Sequence, residues 1–457
     1  MRDEFENRPL LLVFAGLCVG AAAAWSPWNV LFVLPLTLLP KAHWKRALPL
    51  FAAGVAWWLS PPMNLATEVR EEQIAVNASV LTMPRDTAVG MSAVIEADGV
   101  RYWARFPLGS DVALGDRLRV VGEVSPLNEG QGRLRGASRR LKVDSFERIR
   151  SGLPFWRAGL WVRHSFRRFI GSAAGERSGN IIDSVCFSAT DELTPEFWRS
   201  LRATGTAHIV STSGLHVIVT ALGLMFLLGR TRVPRVWQLA ILTVCLLIYA
   251  GAAGMRPPIL RAVITAVILA TAYLWRRPID GLSALSAAGI VALLIAPEMA
   301  LNVGFQLSTA AVLSLVLFMP REFDAEPTSM LHVLRQWGVG VVKSSFIVTL
   351  AVSPLLAYHF GEIPVVGVLA NLLTVPLLGV IVCGSLLCWG ISLVFPALAD
   401  GMLAVAVEPF VGWVVATIET LGRIPYASVF VPAMSAYWLP FIYVGLALIW
   451  KPYVRSS

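Results

Sequence analysis

The stretch TAHIVSTSGLHVIVTALGLMFLLGR, residues 206–230, decides the fold class, because its polar first half leads directly into a long apolar run. The polar half contains His208, Ser211, Ser213 and His216. A buried polar group without a partner costs roughly 1–3 kcal/mol, so in a membrane these side chains must meet one another, water or a ligand. The segment therefore indicates a membrane protein and is the first candidate for a functional site.

The composition of the whole chain supports the same class. Of 457 residues, 56% are hydrophobic and 16 are tryptophan, and the mean hydropathy is +0.66. Five apolar runs approach or reach the roughly 20 residues that cross a bilayer. They are Pro234–Ala253, Ile259–Trp275, Leu282–Ala296, Val303–Met319 and Val339–Tyr358.

We expect a polytopic α-helical membrane protein with an inserted small β-barrel domain. Loop charges place the clusters at residues 41–46, 230–235 and 276–277, and also Lys451 and Arg455, in the cytoplasm. This arrangement gives about twelve spanning or re-entrant helices. The segment Ile363–Val394 contains Pro364, Pro376 and several glycines, which are compatible with a re-entrant hairpin plus one span, so the count is good to about two.

The first 62 residues contain three apolar runs in close succession. The leading segment MRDEFENR carries three acids against two arginines, whereas a signal peptide begins with net positive charge. We therefore predict that residues 1–62 form a three-helix membrane anchor that stays in the mature protein.

Residues 63–150 change to short alternating segments separated by turn signals, which predicts about five strands. These are Ile74–Leu81, Met91–Ala97, Val100–Phe106, Arg117–Val124 and Arg139–Phe146. A unit of this length fits a small barrel of the OB type, which binds single-stranded nucleic acid, and the loop charges place it outside the cell membrane. A purely structural β-domain that covers a pore is an equal alternative.

The end of this domain is strongly basic and leads into an amphipathic segment. The basic residues that can attract phosphates are Arg133, Arg135, Arg139, Arg140 and Lys142. Residues 151–175 are predicted to form a basic interfacial helix on the membrane, with Phe155, Val162, Phe166 and Phe169 on one face. A lipid-headgroup anchor without contact to substrate is the favoured role of that helix.

The net charge of +9 fits membrane topology, anionic lipid or a polyanionic substrate, and charge alone does not choose among them. The five cysteines are scattered and form no CxxC pair. No dense set of histidines and acids is present to hold a metal. We expect no bound metal and no cofactor.

Four motifs occur in order along the second half of the chain. They are TGTAHIVSTSGLHV at 204–217, MRPPILRA at 255–262, NVGFQLSTAAV at 302–312 and GVLANLLTVPL at 367–377. Together they resemble the ComEC family of DNA internalisation channels, over roughly residues 181–377. The predicted anchor and OB-like domain also resemble the amino-terminal half of that family.

The resemblance implies that residues 176–457 are a competence-type channel core, which passes single-stranded DNA across the inner membrane during natural transformation. It implies a multi-pass protein of the inner membrane whose partners are the DNA uptake machinery, a cytosolic helicase or single-strand-binding proteins, and a separate nuclease. Many family members carry a metallo-β-lactamase-like domain after the core, usually placed outside. No such domain follows Ser457 in the sequence, so we expect a short form without nuclease or other enzymatic activity.

A pore for a polyanion needs polar lining groups and few cations. The candidate channel-lining or DNA-contacting residues are His208, Ser211, Ser213, Gly214, His216, Arg256, Arg261, Gln306 and Asn371. Each has an alternative: the histidines bond to neighbouring helices, Arg261 pairs with Glu298 or Glu362, and the two amides join helices.

Two other functions stay open. One is an intramembrane hydrolase that uses Ser213 and His216 on a lipid-linked substrate, although the chain has no GxSxG or HExxH motif. The segment GVGVVKSS at 338–345 lacks the glycine that a phosphate loop places before its lysine. The other function is a secondary transporter for a small anion, which would need an inverted repeat that the sequence does not reveal.

Overall fold

A computed structural model describes residues 72–446, except 83, 88–89, 108, 127–136, 138, 153, 211–213, 256, 278–280, 296–298, 300–301, 320–329, 433–437, 440 and 444. The predicted three-helix anchor over residues 1–62 lies outside the described residues. So do five of the candidate site residues, namely Arg133, Arg135, Ser211, Ser213 and Arg256.

The amino-terminal part of the described chain is a closed barrel. Its strands are β1 (Glu72–Val80), β2 (Arg85–Thr87), β3 (Gly90–Ala97), β4 (Val100–Phe106), β5 (Arg117–Pro126) and β6 (Arg139–Arg150). The pairing runs β1-β5-β6-β4-β3, and β3 returns to β1 through the pairs Ser79–Glu96 and Val80–Ile95. Strands β4 and β6 are parallel, whereas the other pairs are antiparallel.

The predicted five-stranded barrel is confirmed, and the alternating burial of β4 and β5 gives each of these strands one inward face. Phe106, Leu118 and Leu141 are fully buried inside it, and the Phe106 and Phe146 rings meet edge to face at 5.5 Å. The structure adds the three-residue β2, which pairs only with β3, and it extends β6 past the predicted end at residue 146.

The rest of the described chain is helical. The helices are α1 (Pro154–Ala173), α2 (Glu176–Phe187), α3 (Pro195–Ala203), α4 (Ala207–Val210), α5 (Gly214–Leu228), α6 (Arg235–Ala252), α7 (Pro257–Leu274), α8 (Gly281–Ile295), α9 (Val303–Phe318), α10 (Met330–Phe360), α11 (Gly367–Ser392), α12 (Pro396–Ala406) and α13 (Glu408–Gly422). Two short strands, β7 (Glu362–Pro364) and β8 (Ser428–Phe430), pair antiparallel.

Four helical stretches within the described residues are long and apolar enough to cross a membrane. They are Arg235–Ala252, Gly338–Phe360, Gly367–Ser392 and Pro396–Gly422. Four more apolar helices are shorter, at 10–17 residues. The fold is therefore helical and rich in candidate spans, but the predicted count of about twelve is not confirmed.

The hairpin alternative for residues 363–394 is wrong. Helix α11 runs without interruption for 26 residues, and Pro376 lies inside it. Proline removes one backbone donor, but neighbouring helices and hydroxyl side chains can satisfy the freed carbonyl in a membrane helix.

The predicted amphipathic segment forms α1, and its apolar face packs against protein. Phe166 is fully buried and meets Phe187 of α2 edge to face at 4.9 Å. A Cβ built on Gly159 would lie 3.0 Å from the backbone of α6 at Ala252, so the two helices approach closely. Phe166 therefore serves the protein core, while the position of α1 relative to a bilayer stays a prediction.

A buried carboxylate joins the barrel to α1. Asp116 is fully buried, accepts a hydrogen bond from the backbone N–H of Gly152 at 2.6 Å and lies 3.2 Å from the guanidinium of Arg157. Asp111 contacts the same arginine and Arg148. Partial burial opposes ionisation of Asp111, but the hydrogen bonds and charges of the two arginines outweigh it and lower its pKa.

Candidate functional site

The first and fourth sequence motifs are in direct contact. Gly205 has φ of +68°, and a Cβ built on it would lie 2.5 Å from Cγ of Pro364, just before the fourth motif. A Cβ on Gly367 would lie 3.4 Å from the carbonyl oxygen of Thr204. The left-handed backbone and the close approach both require glycine at position 205. Residues about 160 positions apart in the sequence thus form one junction.

The second and third motifs also meet. A Cβ built on Gly304 would lie 2.9 Å from Cγ of Pro258, so α7 and α9 touch at their beginnings. About one helical turn further along α7 and α9, the guanidinium of Arg261 donates a hydrogen bond to the hydroxyl of Ser308. Asn302 caps α9 by accepting from the N–H of Phe305 at 3.2 Å, which fixes where that helix begins.

Gly214 links the first motif to the second. It is the first residue of α5, and a Cβ built on it would lie 3.6 Å from Cβ of Ala262 and 3.8 Å from Nη2 of Arg261. All four motifs are therefore joined by direct contacts. We call residues 204–217, 255–262, 302–312 and 367–377 the motif cluster.

The two histidines of the first motif lie in different surroundings. Helix α4 ends at Val210 and α5 begins at Gly214, so His208 and His216 belong to separate helices. His208 is exposed, and its Nδ1 lies 3.0 Å from the carbonyl of Gly205. His216 is 1% exposed and hydrogen-bonds to the backbone carbonyl of Ile209. His208 therefore bonds to the backbone just before α4, whereas His216 of α5 bonds to the backbone of the neighbouring helix α4.

Arg261 is the buried cation of the motif cluster. It is 2% exposed, and its hydrogen bond goes to Ser308 on α9. Its Nε has no hydrogen-bond partner, and no carboxylate lies within ion-pair distance among the described residues. The predicted pairing with Glu362 is not formed; that residue lies in β7, opposite Phe430 of β8. Glu298 lies outside the described residues.

The two amides join helices to α10. The Oε1 of Gln306 lies 2.9 Å from Nε2 of His359, and Nδ2 of Asn371 donates to the hydroxyl of Ser345 at 3.1 Å. Both contacts agree with the alternative that these amides are interhelical hydrogen bonds. The sequence analysis missed their partners, because a single polar residue in an apolar run does not reveal which helix it faces.

A second charged surface covers the outside of the barrel on β4 and β6. Trp103 lies between two guanidinium groups, with the Cζ atoms of Arg105 and Arg140 at 5.3 and 5.5 Å from its ring centroid. The register pairs Trp103 with Arg140 and Arg105 with Lys142. One aromatic and three basic side chains thus lie together on the outside of the barrel. We call Trp103, Arg105, Arg140 and Lys142 the barrel face.

Two of the predicted basic residues belong to this barrel face, and Arg139 lies at its edge opposite Tyr102. Trp103 and Arg105 were missed, because only the register of β4 against β6 places them beside the basic segment. Strand alternation alone would have predicted that Trp103 points outward. Among the described residues, no three His, Cys, Asp or Glu side chains come together as a metal site.

A family model described as Competence protein matches residues 185–455, which is more than half of the chain. The chain is similar to competence protein ComA of Neisseria gonorrhoeae, with 27% identity over 289 residues that cover 58% of this chain and 40% of ComA. It is 26% identical to ComE operon protein 3 of Bacillus subtilis over 217 residues, which cover 48% of this chain and 27% of that protein.

A third relative is recombination protein 2 of Haemophilus influenzae, at 21% identity over 381 residues, covering 77% of this chain and 48% of that protein. The chain thus spans less than half the length of each of these relatives. No solved structure matches it. The family match begins just before the motif cluster and includes all of it.

Proposed function

The chain belongs to the competence protein family, and on this premise we propose that it carries DNA across the inner membrane as a single strand during natural transformation. The observation that carries the proposal is the meeting of four separate motifs around Arg261. The four motifs that resemble the ComEC family thus lie together in the fold, although they are up to about 160 residues apart in sequence.

The chemistry of the motif cluster suits passage of a polyanion. A strand with one charge per nucleotide would be held, not passed, by many fixed cations along its path. The cluster combines one buried cation with neutral polar groups, among them Ser308, Asn371 and the two histidines. Ser211, Ser213 and Arg256 complete the proposed lining by sequence alone.

The barrel is proposed as the receiving surface for DNA on the outer side of the membrane. Its closed five-strand topology fits the OB type, and the barrel face offers an aromatic ring flanked by cations. The buried joint at Asp116 holds the barrel next to the helices, so a strand leaving the barrel starts close to them. Arg133, Arg135 and Arg139 extend the proposed surface.

The proposed setting is a multi-pass protein of the inner membrane that does not perform chemistry itself. The proposed partners are the uptake machinery that delivers duplex DNA, a separate nuclease, and a cytosolic helicase or single-strand-binding proteins that pull the strand inward. The driving force for transport then comes from these partners. The hydrolase alternative gains no support from His216, whose ring bonds to the backbone of Ile209.

The test follows labelled duplex DNA in the native host. Cells carry the wild-type chain, a full deletion, His216→Ala, or the control His164→Ala, which changes an exposed histidine outside the motif cluster. We expect the deletion and His216→Ala to leave label outside the inner membrane and to yield no transformants, while His164→Ala behaves as wild type. Membrane levels of each variant are measured by immunoblot.

Unchanged internalisation in the deletion would contradict the proposal. The two alternatives would then be tested, the hydrolase by turnover of a lipid-linked substrate in a Ser213→Ala variant and the transporter by ion-coupled anion uptake in vesicles. Normal transport by His216→Ala at normal membrane levels would remove the histidine from the site but leave the transport function standing.

A further inference from the structure

We propose that Arg261 and the first turn of α5 form a phosphate-binding site, and that its ligand is a phosphodiester group of single-stranded DNA. The identity of the ligand rests on the proposed function. The site itself rests on two features of the described residues: the end of a 15-residue helix, and a buried guanidinium that faces it.

The first feature is the amino-terminal end of α5. A helix start carries a partial positive charge and backbone N–H groups that point along the axis, which together favour anions. Gly214 is the first helical residue, and the position of its absent Cβ lies 3.8 Å from Nη2 of Arg261. The guanidinium therefore lies beside the first turn of α5.

The second feature is the state of Arg261. It is 2% exposed, it hydrogen-bonds to the neutral hydroxyl of Ser308, and its Nε has no acceptor among the described residues. Arginine is charged at neutral pH in a protein. An ion withdrawn from water without a counter-ion is strongly unfavourable, and the adjacent positive end of α5 adds to the cost.

An anion bound between the guanidinium of Arg261 and the start of α5 during transport would neutralise both positive groups. A guanidinium binds two phosphate oxygens through parallel N–H groups, and one of its N–H groups is already directed at Ser308. A single such contact holds one phosphate at a time, which allows the strand to step onward.

A DNA phosphate fits the site better than a lipid headgroup does. Arg261 is not at a helix end, where arginine side chains reach the interface; it follows Pro257 by four positions and is covered by α5 and α9. Because the guanidinium is closed to solvent, binding a phosphate requires α5 and α9 to separate. A strand inserted between the motifs would separate them.

The experiment uses the full chain, purified in a maltoside detergent that contains no phosphate. The variants are Arg261→Met, which keeps the apolar length of the side chain, and Ser308→Ala. The control is Arg276→Met, which removes an exposed arginine after the other end of α7. The probes are oligothymidylate and its uncharged methylphosphonate analogue, and the readouts are binding affinity and the unfolding temperature.

We expect Arg261→Met to weaken oligothymidylate binding by about tenfold and Ser308→Ala to weaken it by roughly threefold. Arg276→Met should change it little. Without ligand, Arg261→Met should unfold at a temperature higher by roughly 2–4 °C, because it removes an uncompensated buried charge. A structural role would give the opposite sign, since removing a needed arginine lowers stability.

Three outcomes would overturn the assignment. The first is an affinity that Arg261→Met and Ser308→Ala leave at the wild-type value. The second is loss of ligand-free stability in Arg261→Met without any change in binding by Ser308→Ala. The third is Arg261-dependent stabilisation by anionic phosphatidylglycerol but not by oligothymidylate, which would make the ligand a lipid.

Failure of this inference differs from failure of the proposed function. If only the phosphate site is wrong, the deletion still blocks internalisation while Arg261→Met binds DNA normally. If the transport function is wrong, the deletion leaves internalisation unchanged whatever the binding result.

Discussion

The barrel face and the motif cluster both present positive charge, but they do so in opposite ways. On the barrel, several half-exposed cations surround one aromatic ring, and nearby Arg101 pairs with Glu96 at 3.2 Å. In the motif cluster, Arg261 is 2% exposed and has no carboxylate partner among the described residues. The barrel has solvent-screened charges, and the described part of the motif cluster has one desolvated charge.

This difference in exposure suits the two regions to different kinds of contact with DNA. Exposed cations act at a distance, are weakened by salt and exchange their partners easily, which suits capture of a strand. A desolvated cation acts only on a group that reaches it, but that contact is stronger. Under the proposed function, the barrel face would collect the DNA strand and Arg261 would contact it one phosphate at a time.

Trp103→Ala should have the largest effect on the barrel side of this comparison. A base stacked on an aromatic ring contributes about 1–3 kcal/mol, so we expect single-strand affinity to fall by about tenfold or more. Trp103→Phe keeps a stacking surface and should restore most of the affinity. Fluorescence anisotropy of labelled oligothymidylate with the full chain measures both. If the alanine and phenylalanine variants bind alike, the ring is not a stacking platform.

Arg140→Gln should have a smaller effect that depends on salt. A contact with one phosphate of a single strand contributes about 0.7 to the slope of log affinity against log salt. We expect the slope to become shallower by about that amount, with a fewfold loss of affinity at low salt. Arg177→Gln is the matched control, because this exposed arginine pairs with Glu419 away from the barrel. An unchanged slope for Arg140→Gln would remove this residue from the proposed surface.

Gln306→Leu should have the smallest effect, because we expect Gln306 to join two helices without contacting DNA. Its amide bonds to His359, and interhelical hydrogen bonds in membrane proteins contribute on average about 0.6 kcal/mol. We expect a slightly lower unfolding temperature and nearly normal DNA internalisation. A large loss of internalisation without loss of stability would show that Gln306 contacts the strand.

The sequence predicts the barrel well because alternation in a two-faced strand is a local signal. Each inward residue, such as Leu118 or Leu141, follows from its immediate neighbours. The packing of the helices is less predictable, because an apolar helix has the same sequence pattern whether lipid or protein covers it. The packing of Phe166 in α1 against Phe187 and the unbroken course of α11 through Pro376 both depend on neighbours far along the chain.

The candidate site shows the same limit. The sequence singles out Arg261, Gln306 and Asn371 because polar groups are rare in apolar runs. It does not reveal that Ser308 lies beside the arginine or that Trp103 lies between two arginines. Those pairings depend on how α7 meets α9 and on the register of β4 against β6, and both are set by tertiary packing.

We infer that the chain passes one DNA strand through a path that includes Arg261. The most direct test places the purified chain in vesicles that contain a single-strand-binding protein as an internal trap, adds labelled single-stranded DNA outside, and measures label protected from nuclease. We expect protection with the wild-type chain and roughly a tenth of it with Arg261→Met, while Arg276→Met behaves as wild type. Protection no greater than in protein-free vesicles, or equal protection by Arg261→Met and wild type, would contradict the claim.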